Sequence, residues 1–125
     1  MIKGEIAISG IHDLHALPYS YLQPSLQLTH EVILRQSPCL DVPRSGPPLL
    51  VSCGAKETSE IRRPATEYHE SRQANGLGGD LLIQEGKHHY SAIEGLNDGK
   101  STLCKAVTDF MARCECSREV LSQAP

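Results

Sequence analysis

Tryptophan is absent from this sequence, phenylalanine occurs once and tyrosine four times. So few flat side chains leave no platform on which bases could stack. Charge of one sign is lacking too. Twelve basic residues against 15 acidic ones give a formal net charge of −3 and a pI near 6.0. The densest basic pair, Arg62 and Arg63, stands among Glu57, Glu60 and Glu67, so no basic patch is offered to phosphates. Nucleic acid is excluded as a partner.

Long hydrophobic runs are missing as well. No apolar stretch approaches the roughly 20 residues of a membrane-spanning helix. The opening segment "MIKGEIAISG" has neither the apolar core nor the cleavage pattern of a secretion signal. The chain therefore reads as cytoplasmic, with no membrane partner. Its five cysteines are an odd number, and Cys39, Cys53 and Cys104 lie in or beside apolar segments, the setting of buried free thiols. Cys114 and Cys116 form a C-x-C in a polar tail, without the second Cys or His pair that a zinc finger requires.

What is present is a single-domain length of 125 residues with three short apolar runs, within the usual domain range. "GEIAIS" (Gly4 to Ser9) is β-branched, "PPLLVSCG" (Pro47 to Gly54) is nearly continuous Leu and Val, and "GDLLIQE" (Gly79 to Glu85) sits between glycines. The middle run has the composition of a strand covered on both faces. Helical patterns separate and follow these strands. Ile61, Ala65 and Tyr68 recur at helical spacing from Thr58 to about Arg72, with Thr58 or Ser59 placed to cap the segment. Pro64 in that segment fits a helix only within its first turn or so and otherwise kinks it. A shorter pattern runs from Thr29 to Gln36 and stops at Ser37–Pro38, because the residue before proline avoids the α region. A last one, Ser101 to about Ala112, places Leu103, Val107, Phe110 and Met111 on one face. Strands alternating with helices predict an α/β fold of three parallel strands joined by crossover helices. Residues 10–46 read as a loop-like insertion of the kind that forms lids, and residues 114–125 as a flexible tail. The first strand would stand at an open sheet edge, a surface for self-association or for a partner.

In such sheets, active sites gather at the C-terminal ends of the strands. The second strand ends in "GAKETSE", with Lys56, Glu57 and Glu60, and the third in "GKHHY", with His88 and His89. An acid at one strand end can meet a histidine at the next, fix its tautomer and stabilise its cation. The alternative is two polar loops. "HDLH" (His12 to His15) with Asp13 and the later histidines suggests a metal site, but no H-E-x-x-H accompanies it and no metal is expected. "GLNDGKST" (Gly95 to Thr102) has three residues between its glycines where a phosphate loop has four. It reads instead as a turn at Asn97–Asp98–Gly99, with Ser101 capping the last helix. A nucleophile is harder to find. No G-x-S-x-G occurs in the sequence, Ser9 lacks the flanking glycines of that elbow, and Cys53 beside Gly54 lacks an elbow pattern.

Taken in order, "ISGIHDL" (Ile8 to Leu14), "PPLLVSCGAKETSEIRR" (Pro47 to Arg63) and "GKHHYSAIEGL" (Gly86 to Leu96) resemble the last third of an α/β-hydrolase. The branch is that of the esterases and lipases, close to kynurenine formamidase (arylformamidase). The resemblance covers about Ile2 to Met111 and implies the sixth to eighth strands of the hydrolase sheet, making residues 1–113 the C-terminal segment of such a domain. It implies Glu57 as the acid and His89, preceding Tyr90, as the base of a Ser–His–acid triad. Glu57 stands where the family usually has Asp, and Pro64 where it usually has Gln. His88 is then a loop neighbour of the base, and Arg62 and Arg63 lie on the helix surface. The implied chemistry is hydrolysis of a small carboxylic ester or aryl formamide without a cofactor. In that family the oxyanion segment and the nucleophile elbow precede the sixth strand, and neither motif occurs in these residues. The chain alone is then expected to be inactive, to act as one part of a split enzyme, or to serve as a non-catalytic interaction module.

Overall fold

The computed structural model describes the backbone of residues 1–122 and the side chains of residues 1–116. Three strands, β1 (Glu5–Ile8), β2 (Leu49–Gly54) and β3 (Gly79–Gln84), form one sheet in the order β1-β2-β3. Both pairings are parallel, with Ile8 opposite Ser52 and Ser52 opposite Leu82. The strand ends therefore line up along one edge.

All six residues of β2 are buried, as expected for a run of apolar residues that alternates its side chains between two covered faces. On one face Leu49, Val51 and Cys53 pack with Ala65 of α3 (Ser59–Ala74), joined by Ile61 and Tyr68. The predicted stripe thus faces the sheet, with Ala65 buried and Ile61 and Tyr68 partly so. On the opposite face Ser52 lies beneath α4 (Ser91–Glu94): Gln84 Nε2 donates to Ser52 Oγ (3.0 Å) and to the Ala92 carbonyl (2.8 Å). A buried amide at the end of β3 is tolerable because both donated bonds are made.

The segment between β1 and β2 is more structured than its composition suggests. It holds a turn of 3₁₀ helix at Leu17–Tyr19, a short α1 (Gln23–Leu26), α2 (His30–Gln36) and a second 3₁₀ turn at Pro38–Leu40. Thr29 caps α2 by accepting from Val32 N–H (3.3 Å), and the helix stops before Ser37–Pro38. Ser37 Oγ then accepts from Leu14 N–H and Cys39 N–H donates to the His12 carbonyl, tying the segment back onto its own start.

One helix carries a proline and another outruns its apolar stripe. Pro64 is the sixth residue of α3, buried, and the helix continues through it; the missing N–H leaves the Glu60 carbonyl without its intrahelical donor, while the ring fills the packed face. The last helix, α5 (Thr102–Ser122), runs ten residues beyond Ala112. Ala, Glu, Arg and Leu are good helix formers, and no Gly or Pro interrupts them before Pro125. Ser101 starts it as expected, accepting from Cys104 N–H (3.0 Å). Leu103 and Phe110 are buried, but Met111 is 58% exposed, because this end of the stripe overhangs the open side of β1, in a groove with Ile2 and Ile6. Of the tail expected at residues 114–125, residues 123–125 lie outside the described residues. No described helix is long and apolar enough to cross a membrane.

Candidate active site

Gly54 decides how the two loops meet. A Cβ built on it would lie 2.2 Å from the Lys87 carbonyl oxygen, a distance no side-chain carbon tolerates. Lacking one, the end of β2 lets the loop after β3 lie across it. Lys56 N–H donates to the Lys87 carbonyl (2.9 Å) and Ala55 N–H to that of Gln84 (2.8 Å). Gly86, at φ +71°, makes the left-handed reversal that returns the chain from β3. Two residues past Lys87 comes His89, and three past Gly54 comes Glu57.

These side chains meet. His89 Nδ1 lies 2.7 Å from Glu57 Oε1. The carboxylate is held from two further sides, since Gly54 N–H donates to Oε2 at 2.6 Å and Ser9 Oγ at 2.8 Å. Arg62 Nε donates to the Glu57 main-chain carbonyl (2.8 Å) and braces the same turn. The Glu57 side chain is fully buried while that of His89 is 55% exposed. Burial by itself would raise the Glu57 pKa, but the bonds from Gly54, His89 and Ser9 favour the anion and carry it below the ordinary glutamate value. An ionised Glu57 can only accept, so Nδ1 carries the proton and Nε2 of His89 is left as the basic nitrogen. Among the described residues Nε2 has no protein partner. The arrangement is an oriented imidazole whose outer nitrogen can take a proton and whose cation would be stabilised from behind.

The other candidates fall elsewhere. His88 stays in the loop: its N–H donates to Ser91 Oγ (2.9 Å) and its Nδ1 accepts from Ser91 N–H (3.3 Å), which starts α4. His12 is buried and stacked on Tyr68, with ring centroids 4.9 Å apart, whereas His15 pairs with Asp13 at 2.5 Å. The two histidines of H-x-x-H thus serve different surroundings, and the described residues contain no cluster of three or more His, Cys, Asp or Glu side chains able to hold a metal. Lys56 N–H donates to the Lys87 carbonyl while its side chain is exposed, and Glu60 pairs with Arg63. Cys53 is buried, which pushes its thiol pKa up, with Glu57 nearby adding to the effect. Ser9, which lacks the flanking glycines of a nucleophile elbow, has a different part: its hydroxyl donates to the Glu57 carboxylate, a contact no local sequence pattern announces.

Comparison with known proteins now has a geometry to refer to. No protein-family model matches the chain. Over 84% of its length it superposes on 38% of a candidate thioesterase from Silicibacter sp. TM1040, with a TM-score of 0.70 and 24% identity. Over 91% it superposes on 44% of the chain in the EstE5-PMSF structure, with a TM-score of 0.63 and 19% identity. The chain carries part of an α/β-hydrolase fold. Kynurenine formamidase of Danio rerio is 29% identical over 117 residues and that of Salmo salar 30% over 118, each match taking in 90% of this chain. The chain spans about 40% of the length of these curated relatives. The parallel three-stranded sheet is that of the expected hydrolase fold.

Proposed function

We propose that this chain supplies the acid and base of a serine hydrolase: Glu57 orients His89, and His89 Nε2 takes the proton of a serine contributed from outside these 125 residues. The substrate class is a small carboxylic ester or an aryl formamide, and no cofactor takes part. The reading is carried by the 2.7 Å contact between Glu57 and His89 at neighbouring strand ends. The likeness to kynurenine formamidases, which this chain spans only in part, supports the choice of substrate. During acylation the imidazole accepts the serine proton and becomes a cation beside the buried carboxylate; it then returns that proton to the leaving group. The odd number of cysteines, all free, supports a cytoplasmic setting for this chemistry. Residues 1–125 assayed alone on short-chain p-nitrophenyl esters should give no turnover above background. Triad-level turnover that is lost in His89→Ala would sink the proposal.

A second reading is favoured by the open side of β1. That strand pairs only with β2 among the described strands, and Ile2, Ile6 and Met111 beside it are exposed. In this reading the edge takes a partner chain, either the other part of a split hydrolase or a protein bound for a non-catalytic purpose. Mixing the chain with a separately expressed N-terminal hydrolase part, followed by size exclusion and assay, separates these outcomes. A complex with activity means a split enzyme, a complex without activity an interaction module, and no complex removes the reading.

A further inference from the structure

We infer that Ser9 is a positioning residue: by occupying Glu57 Oε2 from the end of β1, it leaves Oε1 as the oxygen that His89 meets. The inference rests on the acid–base reading above and adds to it a third strand. A carboxylate has two oxygens and can swing about its last bond, so the direction in which it presents an oxygen has to be fixed by its other partners. Here Oε2 is taken twice, by Gly54 N–H at 2.6 Å and Ser9 Oγ at 2.8 Å, and Oε1 meets His89 at 2.7 Å. The Gly54 bond is local, three residues from Glu57. The Ser9 bond is not, since it joins residues 48 apart in sequence.

The backbone is bent to make that contact. Ser9 N–H donates to the Ser52 carbonyl at 2.8 Å, one step beyond the Ile8–Ser52 pair. Ser9 itself sits at φ +53°, a left-handed conformation that is unfavourable for a residue other than glycine. Glycine would be the relaxed choice there, and Gly10 is next door. Serine at this position forgoes that relaxation, and what its side chain gains is the bond to Glu57. Each of the three parallel strands thus contributes one group at its C-terminal end: Ser9 after β1, Glu57 after β2, His89 after β3. The order of the hydrogen-bonded chain is serine, carboxylate, imidazole. Because the carboxylate lies in the middle, Ser9 is a donor to the acid and receives no activation from the base.

Ser9→Gly separates a positioning role from a merely structural one, because glycine relaxes the left-handed backbone while removing the hydroxyl. In residues 1–125 the protonation of His89 is read from its ring ¹⁵N shifts, and that of Glu57 from its side-chain carboxyl ¹³C titration. The expected result for both Ser9→Gly and Ser9→Ala is a rise of about threefold or more in the share of neutral His89 carrying its proton on Nε2. The Glu57 titration should move toward the ordinary glutamate range. Ser9→Gly is expected to unfold at a denaturant concentration no lower than wild type, so a loss of folding cannot mimic the effect. If Ser9→Gly leaves both spectra unchanged, the inference is overturned. Glu57→Gln is the control for the reading beneath it. If that variant also leaves the His89 tautomer unchanged, the acid–base pair itself fails; if Glu57→Gln shifts it and Ser9→Gly does not, only the role of Ser9 fails.

Discussion

Replacing Gly54 with alanine adds one methyl group, and the structure says where it goes. The added carbon would stand 2.2 Å from the Lys87 carbonyl oxygen, 2.7 Å from its carbon and 3.3 Å from its Cβ. Ordinary contact begins near 3.4 Å, so the loop has to retreat by about 1 Å or the strand end has to turn. The atoms in the way are backbone, which yields less readily than the tip of a side chain. Overpacking of this kind costs about 1–3 kcal/mol, a sizeable share of the roughly 5–15 kcal/mol that holds a domain folded. At this chain length that corresponds to a fall in Tm of about 5–10 °C. The displacement also falls two residues before His89 and beside the Gly54 N–H that holds Glu57 Oε2. The hydrogen-bonded Nδ1–H of His89 should therefore exchange faster with solvent in Gly54→Ala, as seen in imidazole proton spectra. Differential scanning fluorimetry and those spectra, on residues 1–125, test both consequences. A variant that melts with the wild type and keeps its protected Nδ1–H would refute the claim that Gly54 exists to let the loops cross.

Other consequences can be checked by simple means. Glu57 titrates lower in the folded chain than its ordinary value near 4.5, so the unfolded chain takes the proton first. The stability this gives is present above about pH 4.5 and is lost as pH falls through the folded value; urea midpoints across that range should drop in wild type and drop less in Glu57→Gln. His12 is held neutral by burial, below its ordinary value of 6.5, with an unpartnered Nε2. Its stability contribution is likewise lost on acidification below that value, so His12→Phe should lose less of its urea midpoint between pH 7 and pH 5 than wild type. Leu50 is 1% exposed, and Leu50→Ala should cost about 2–5 kcal/mol in denaturant unfolding.

Much of this was legible in the sequence, and the reasons differ by residue. The run from Leu49 to Gly54 could be read because a strand buried on both faces needs a nearly continuous apolar run, here broken by Ser52, and all six residues are buried. Ser101 could be read as a cap because capping is local, requiring only a hydroxyl and an N–H three residues on. Glu57 and His89 were singled out from their places at strand ends and from the family resemblance, and the fold brings them within hydrogen-bond distance. Ser9 was missed as a partner of the acid because that contact spans 48 residues, and no local pattern records which oxygen of Glu57 it reaches. Met111 shares the periodicity of Phe110 yet remains exposed, since periodicity gives a face and not whether a neighbour covers it. The length of α5 was underestimated because polar helix formers after Ala112 carry no apolar stripe, although nothing in their composition stops a helix.

The central claim is that His89, oriented by Glu57, acts as the base of a hydrolase whose serine lies outside these residues. Its most direct test is a chimera in which this chain replaces the segment it matches in Danio rerio kynurenine formamidase, assayed on an aryl formamide and on a short-chain ester beside its His89→Ala and Glu57→Gln variants. The account predicts turnover by the chimera, a loss of at least about a thousandfold in kcat for His89→Ala and a smaller loss for Glu57→Gln. Turnover unchanged by His89→Ala would contradict it.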